Sequence, residues 1–319
     1  ICSGEMSRTQ PGHNNLNKAD QKKTDQKKPI RRNRSEETDQ KKIKQNNTMM
    51  RKAIFALVWV LAALAAGAQT YNTDKDISYR PDSTDPYSQQ KCKLDVYYPA
   101  DKPGFPTVVW FHGGGWMIEL GEDALLWGRD LAEATGFAVV MPDYPLAREH
   151  AYPDSNAWCC AFWRHCARRA QGPLALGGDS AGAHLALCAL PAAMPDKALF
   201  VYAVTTLLPT RDGGSWAAYK KGWPLSPRLM DYFYDAYCPD RAQRYGASPL
   251  EQLERIPPTL LITAAEDILA DQQTDFARRF GARQVIYEGA RHIFLSRPEG
   301  AAFRARALQD AAAWLRQGQ

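Results

Sequence analysis

The chain has 319 residues, 45% hydrophobic, 24% charged and 11% aromatic, which suits one large or two small globular domains and excludes a collagenous or wholly disordered protein. Its net charge of +5 is unevenly spread. Residues 1–48 hold 12 Lys and Arg against 6 Asp and Glu, Arg51 and Lys52 add two more positive charges, and the rest of the chain carries −3. A mildly acidic folded part lacks the basic face that nucleic-acid binding needs, so no nucleic-acid partner is expected.

Residues 1–48 contain almost no large apolar side chains, cannot bury enough surface to offset their ordering entropy, and are expected to be disordered. Met49-Met50-Arg51-Lys52 is a short basic head, 53–66 is an apolar run, and Ala66-Gly67-Ala68 supplies the small residues of a signal peptidase site. The run is shorter than the about 20 residues of a membrane span, so no stable membrane insertion is expected once it is cleaved. The segment 49–68 therefore reads as a secretory signal peptide. Translation is then expected to start at Met49 or Met50, with 1–48 upstream of the natural start. The exported product, periplasmic or secreted, would run from 69 to 319 as one α/β domain.

Within that domain, short apolar runs alternate with longer amphipathic ones. Strands are predicted at 94–98, 107–111, 138–141, 174–176, 199–204, 259–263 and 284–287. Several are continuously apolar, as in Val108-Val109-Trp110-Phe111, which is the pattern of central strands covered on both faces. Helices are predicted at 154–170, where Trp158, Phe162 and Cys166 share a face, at 181–190, and at 270–280, which stops at Gly281. A last helix carries Phe303, Ala307, Ala311 and Trp314 on one stripe, and Ser296 with Glu299 has capping-box spacing before it. Such alternation predicts a mostly parallel sheet flanked by helices. Residues 205–255, rich in Trp, Tyr, Pro and Gly, break it and read as a small cap inserted late in the chain.

Two glycine-rich turns carry chemistry. Gly178-Asp179-Ser180-Ala181-Gly182 lies between a strand and a helix, where small flanking residues let the chain bend sharply with Ser180 at the tip. His112-Gly113-Gly114-Gly115-Trp116 follows strand 107–111. Its glycines leave backbone amides open, so Gly113, Gly114 and Gly115, together with Ala181, are candidates for an oxyanion hole. A serine nucleophile needs a base, and the base an orienting carboxylate. Asp267 and His292 follow successive strands, in the order Ser, acid, His that this turn type accompanies. Glu266 is the rival acid and, as the immediate neighbour of Asp267, would point elsewhere. The other five His lie in the tail, in loops or on helices. Six Cys outside the tail (Cys92, Cys159, Cys160, Cys166, Cys188 and Cys238) show no C-x-x-C pair or metal-ligand spacing, so no metal and no cofactor is expected; buried free thiols are favoured for most of them.

The chain resembles the hormone-sensitive-lipase-like, bacterial acetyl esterase-like branch of the α/β-hydrolases. The resemblance rests on His112 to Trp116, Gly178 to Gly182, Asp143-Tyr144-Pro145-Leu146-Ala147 with Tyr152-Pro153, Ser248-Pro249-Leu250 before Pro257-Pro258, Glu266-Asp267-Ile268-Leu269, and Gly289 to Phe294. It spans roughly residues 94–315, with Pro145, Arg148 and Ile268 departing from the usual residues. It implies an α/β-hydrolase fold and carboxylic ester hydrolysis, with Ser180 attacking the acyl carbon, His292 carrying the proton and Asp267 holding His292. The alternatives are an amidase or arylformamidase using the same triad, or a non-catalytic binding module on the same fold. Among the cap aromatics most should pack within the cap, while Trp223, in a Gly-Trp-Pro setting, joins Trp116 at the substrate pocket. Aromatic walls favour short-acyl esters of acetylated or aryl-acylated carbohydrate, a small-molecule or glycan substrate, over long-chain lipids.

Overall fold

The computed structural model describes residues 70–100 and 104–318; the basic stretch 1–48 and the expected signal peptide 49–68 lie outside the described residues. Eight strands form one sheet: β1 (Tyr71–Ser78), β2 (Lys93–Pro99), β3 (Thr107–Phe111), β4 (Ala138–Pro142), β5 (Leu174–Asp179), β6 (Lys197–Val201), β7 (Thr259–Glu266) and β8 (Arg283–Arg291), in the order β1-β2-β4-β3-β5-β6-β7-β8. The six strands from β4 to β8 in that order are parallel, and β1 and β2 join antiparallel at one edge.

Side chains of the central strands alternate between two buried layers. Val109 and Phe111 face one, with Cys159, Phe162 and Trp163 of helix α3 (Asp154–Arg169), Leu185 of α4 (Ser180–Ala189) and Phe276 of α8 (Ala270–Phe280). Val108 and Trp110 face the other, with Trp127 and Leu131 of α2 (Glu122–Thr135) and Ala307, Ala311 and Leu315 of α9 (Ala301–Arg316). A short helix α1 (Pro86–Lys91), capped by Asp85, links β1 to β2. Apolar burial on both faces is what the continuous runs of the parallel strands require.

Several elements differ from the sequence expectation, among them helices α1 and α2, which are not predicted from the sequence. Strand β1, Tyr-Asn-Thr-Asp-Lys-Asp-Ile-Ser, has six consecutive exposed residues; it is an edge strand held by backbone pairing, with no apolar alternation to betray it. Strand β5 runs on through Gly177 and Gly178, because β3 and β6 pair with it there. Strand β6 ends at Val201, where Tyr202 takes a φ of 37° and turns the chain over the sheet edge. The capping box at Ser296 and Glu299 does not form: Pro298–Gly300 makes a 3-10 turn, and helix α9 starts behind Gly300 with no side-chain cap.

Residues between β6 and β7 lie over the carboxyl ends of the strands as a cap built from α5 (Gly214–Ala218), α6 (Pro227–Tyr237) and α7 (Pro249–Gln252). Trp216, Tyr234 and Tyr237 are buried beneath it. Its root is tied to the start of α8, where the Thr205 and Thr206 amides donate to Gln272 Oε1 and the Ser215 amide to Asp271 Oδ2.

Candidate active site

The β3–β5 register pairs Phe111 with Gly178, which sets the glycine loop after β3 level with the turn after β5. At that turn Ser180 has a φ of 51°, a left-handed backbone that costs a non-glycine residue about 1–3 kcal/mol and lifts its side chain clear of the sheet. Gly182 is required by close approach: a Cβ there would sit 2.2 Å from the carbonyl oxygens of Phe111 and His112.

Strands β7 and β8 pair Glu266 with Arg291, and the next residue on each is Asp267 and His292. Ser180 Oγ donates to His292 Nε2 at 2.8 Å, and His292 Nδ1 donates to Asp267 Oδ2 at 2.6 Å. The second Asp267 oxygen accepts the Leu269 amide at 3.0 Å, which fixes the carboxylate. Glu266 points away and receives a hydrogen bond from Arg291 Nε at 3.0 Å. All three linked side chains are buried.

One sequence expectation is corrected here. The Gly113 amide donates to Asp179 Oδ1 at 3.0 Å, so it is already engaged and does not face the reacting centre. Among the described residues no hydrogen bond takes up the amides of Gly114 and Gly115. The Ala181 amide lies in the first turn of α4, where helical N–H groups have no intrahelical acceptor and favour negative charge. Gly114, Gly115 and Ala181 line one cavity with Ser180.

Asp179 also accepts from Trp110 Nε1 at 3.2 Å and from the Tyr202 hydroxyl at 3.3 Å. It thus clamps the glycine loop, the turn and the end of β6 together. Burial pushes its carboxyl up to about 6, against the pull of those hydrogen bonds. The Tyr202 ring in turn packs on His292, with centroids 4.8 Å apart. Sequence reasoning missed both roles; an acid inside a Gly-rich turn was the available signal for the first.

Trp116 is almost wholly buried: it stacks on Tyr237 with centroids 4.6 Å apart and donates Nε1 to His184 Nδ1 at 3.3 Å. His184 therefore carries its proton on Nε2, which donates to the Ala247 carbonyl at 2.8 Å, and burial holds its pKa down at about 4. Trp116 thus contributes packing more than open wall. Trp223 stays exposed at the tip between α5 and α6, with the Arg297 guanidinium 4.6 Å from its ring centroid. Both Trp side chains border the cavity at Ser180, about 210 Å³, whose other walls include Val204, Leu225, Met230 and Phe233. Phe233 belongs to the cap aromatics read from the sequence, whereas Arg297 was not singled out there.

The cysteines among the described residues are free, and burial pushes the thiols of Cys159 and Cys188 upward and that of Cys166 up to about 12. Among the described residues no group of three or more His, Cys, Asp or Glu is placed to hold a metal ion, and no helix is long and apolar enough to cross a membrane.

A family model for the alpha/beta hydrolase fold matches residues 108–296, and the chain belongs to that family. It is 29% identical over 220 residues to an esterase of Gibberella moniliformis, covering 61% of this chain and 68% of that one. It is 29% identical over 228 residues to an arylesterase of Saccharolobus solfataricus, covering 64% and 73%. The crystal structure of a thermostable esterase from Pseudomonas putida superposes with a TM-score of 0.65 at 25% identity, covering 81% of this chain and 87% of that one. Within the family, the chain is a carboxylic ester hydrolase.

Proposed function

We propose that Ser180 is the nucleophile, His292 the general base and acid, and Asp267 the group that orients His292. The carrying observation is the unbroken hydrogen-bond chain from Ser180 Oγ through both His292 nitrogens to Asp267. In this reading Ser180 Oγ attacks the acyl carbon as its proton passes to His292 Nε2. The oxyanion is held by the amides of Gly114, Gly115 and Ala181, in a water-poor setting where each donor contributes about 3 kcal/mol. His292 then gives the proton to the leaving alcohol, and water repeats the sequence on the acyl-enzyme. A cavity of about 210 Å³ must also hold the reacting carboxyl, which favours short acyl groups. The exposed Trp223 ring favours acetylated or aryl-acylated carbohydrate as the substrate.

Ser180→Ala should cost on the order of 10⁶ in kcat toward 4-nitrophenyl acetate. A folded Ser180→Ala protein with unchanged turnover would remove Ser180 as nucleophile. Matched ester and anilide substrates separate the esterase from the amidase reading. We propose as well that the run 49–68 directs export. Expressed from Met50 in a Gram-negative host, the protein should leave the cytoplasm with Gln69 at its N-terminus; an uncleaved cytoplasmic mass would remove that reading.

A further inference from the structure

A second cavity, about 320 Å³, is also lined by His292. The two cavities share His292, Trp223, Pro224 and Arg297, but the second touches neither Ser180 nor the glycine loop. Its character is opposite to the first. The walls at Ser180 are almost all apolar, whereas Glu266, Arg291, Arg297 and Glu299 line the second, with Trp223 and Phe303. The stack of Arg297 on Trp223 stands between them, joining the loop after His292 to the cap.

We propose that this second cavity is the binding site for the alcohol half of the ester, that its ligand is a neutral polyhydroxylated ring such as a sugar, and that Arg297 is a specificity-determining residue there. This rests on the roles proposed above for Ser180 and His292. The acid that protonates the leaving oxygen must lie within hydrogen-bond reach of it. The alcohol half therefore extends past His292, while the acyl half stays with Ser180 and the oxyanion amides. The polar walls decide the class of alcohol. Two arginines face two glutamates, so the cavity carries no net charge to select an ion, and one pair, Arg291 with Glu266, is already closed at 3.0 Å. Among the described residues no carboxylate lies within ion-pair distance of Arg297 and no cationic side chain within that distance of Glu299, which leaves one fork of donors and one pair of acceptors for hydroxyl groups. The Trp223 and Phe303 rings offer apolar surface to the C–H face of a ring at low entropic cost.

The site can be read without hydrolysing a sugar ester. An alcohol bound beside His292 should intercept the acyl-enzyme: its oxygen bonds to the acyl carbon, its proton passes to His292 and on to Ser180 Oγ as the Ser180 ester bond breaks. With 4-nitrophenyl acetate as donor, methyl glucoside should capture the acetyl group at least about tenfold more efficiently than methanol at equal concentration. Arg297→Ala should erase most of that advantage, as loss of hydrogen bonds to a charged group commonly costs tenfold or more, and Arg297→Lys should restore part of it. In hydrolysis, the same Arg297→Ala change should raise KM for an acetylated glucoside about tenfold more than KM for ethyl acetate. Equal capture of methyl glucoside and methanol by the wild-type protein would overturn the subsite. So would an unchanged capture ratio in Arg297→Ala. Preferential capture of a glucuronate would reassign Arg297 to an anion and overturn the neutral-ring assignment. Turnover surviving in Ser180→Ala would instead overturn the triad, an outcome separable from all of these.

Discussion

The body and the cap build opposite walls of one site by different means. On the body side, the side chains of Ser180, Asp267, His292 and Asp179 are buried and hydrogen-bonded, each within a residue or so of a strand end. Sheet register sets their positions, since Phe111 opposite Gly178 and Glu266 opposite Arg291 align the loops that follow. On the cap side, buried Trp216, Tyr234 and Tyr237 secure the root, while Leu208, Trp223, Leu229, Tyr232 and Tyr245 remain substantially exposed. Side-chain packing sets that wall, and it has few polar ties near the reacting atoms. Changes to the body should therefore act on chemistry and stability, and changes to the cap on selectivity.

The largest expected effect tests the body side. Asp267→Asn keeps the shape but leaves His292 with the wrong tautomer, and kcat should fall by about 10⁴ with KM little changed. A loss under tenfold would mean that another group orients His292, and the register argument for Asp267 over Glu266 would fail.

The next effect is on stability and carries a definite pH sign. Burial raises the Asp179 carboxyl from 3.8 to about 6, so between those values the folded protein holds a proton that the unfolded chain has released. Its contribution to stability is thus greatest below about pH 4 and is lost as pH rises through about 6, a ceiling of about 3 kcal/mol. Asp179→Asn lacks this slope. Relative to wild type it should gain stability at pH 8 and lose that gain toward pH 4, read from urea midpoints across the range. An Asn variant weaker than wild type by the same margin at both ends would show that the three hydrogen bonds to the carboxylate outweigh its burial cost.

The smallest expected effect belongs to the cap. The Phe233 ring rests against Gly115, where a Cβ would come within 2.6 Å of it, and it closes the apolar cavity above Ser180. Phe233→Ala should shift the ratio of kcat/KM for hexanoate over acetate upward by about tenfold, within the range one apolar pocket contact controls. An unchanged ratio would move the acyl group out of this cavity and dissolve the proposed division of labour between body and cap.

Most of the fold and the outline of the site were legible in the sequence because they depend on local demands. A buried parallel strand needs a continuous apolar run, a sharp strand-to-helix turn needs small residues around Ser180, and an open amide loop needs glycine. Those demands are written in consecutive residues, so the strands from β2 to β8, the helix 270–280, the two glycine turns and the order of Ser180, Asp267 and His292 could be read directly. Strand β1 could not, since an exposed edge strand held by backbone pairing has no apolar signature.

What the tertiary structure alone decided is which of two neighbouring groups faces inward and which partner a polar atom takes. The Glu266–Arg291 pairing turns Asp267 toward His292, and the Asp179 carboxylate claims the Gly113 amide. Burial against Tyr237 converts Trp116 into packing, and the meeting of the cap with the loop after His292 brings Arg297 onto Trp223. Each depends on atoms tens to more than a hundred residues apart in the chain, brought together only when the sheet register and the cap are both in place.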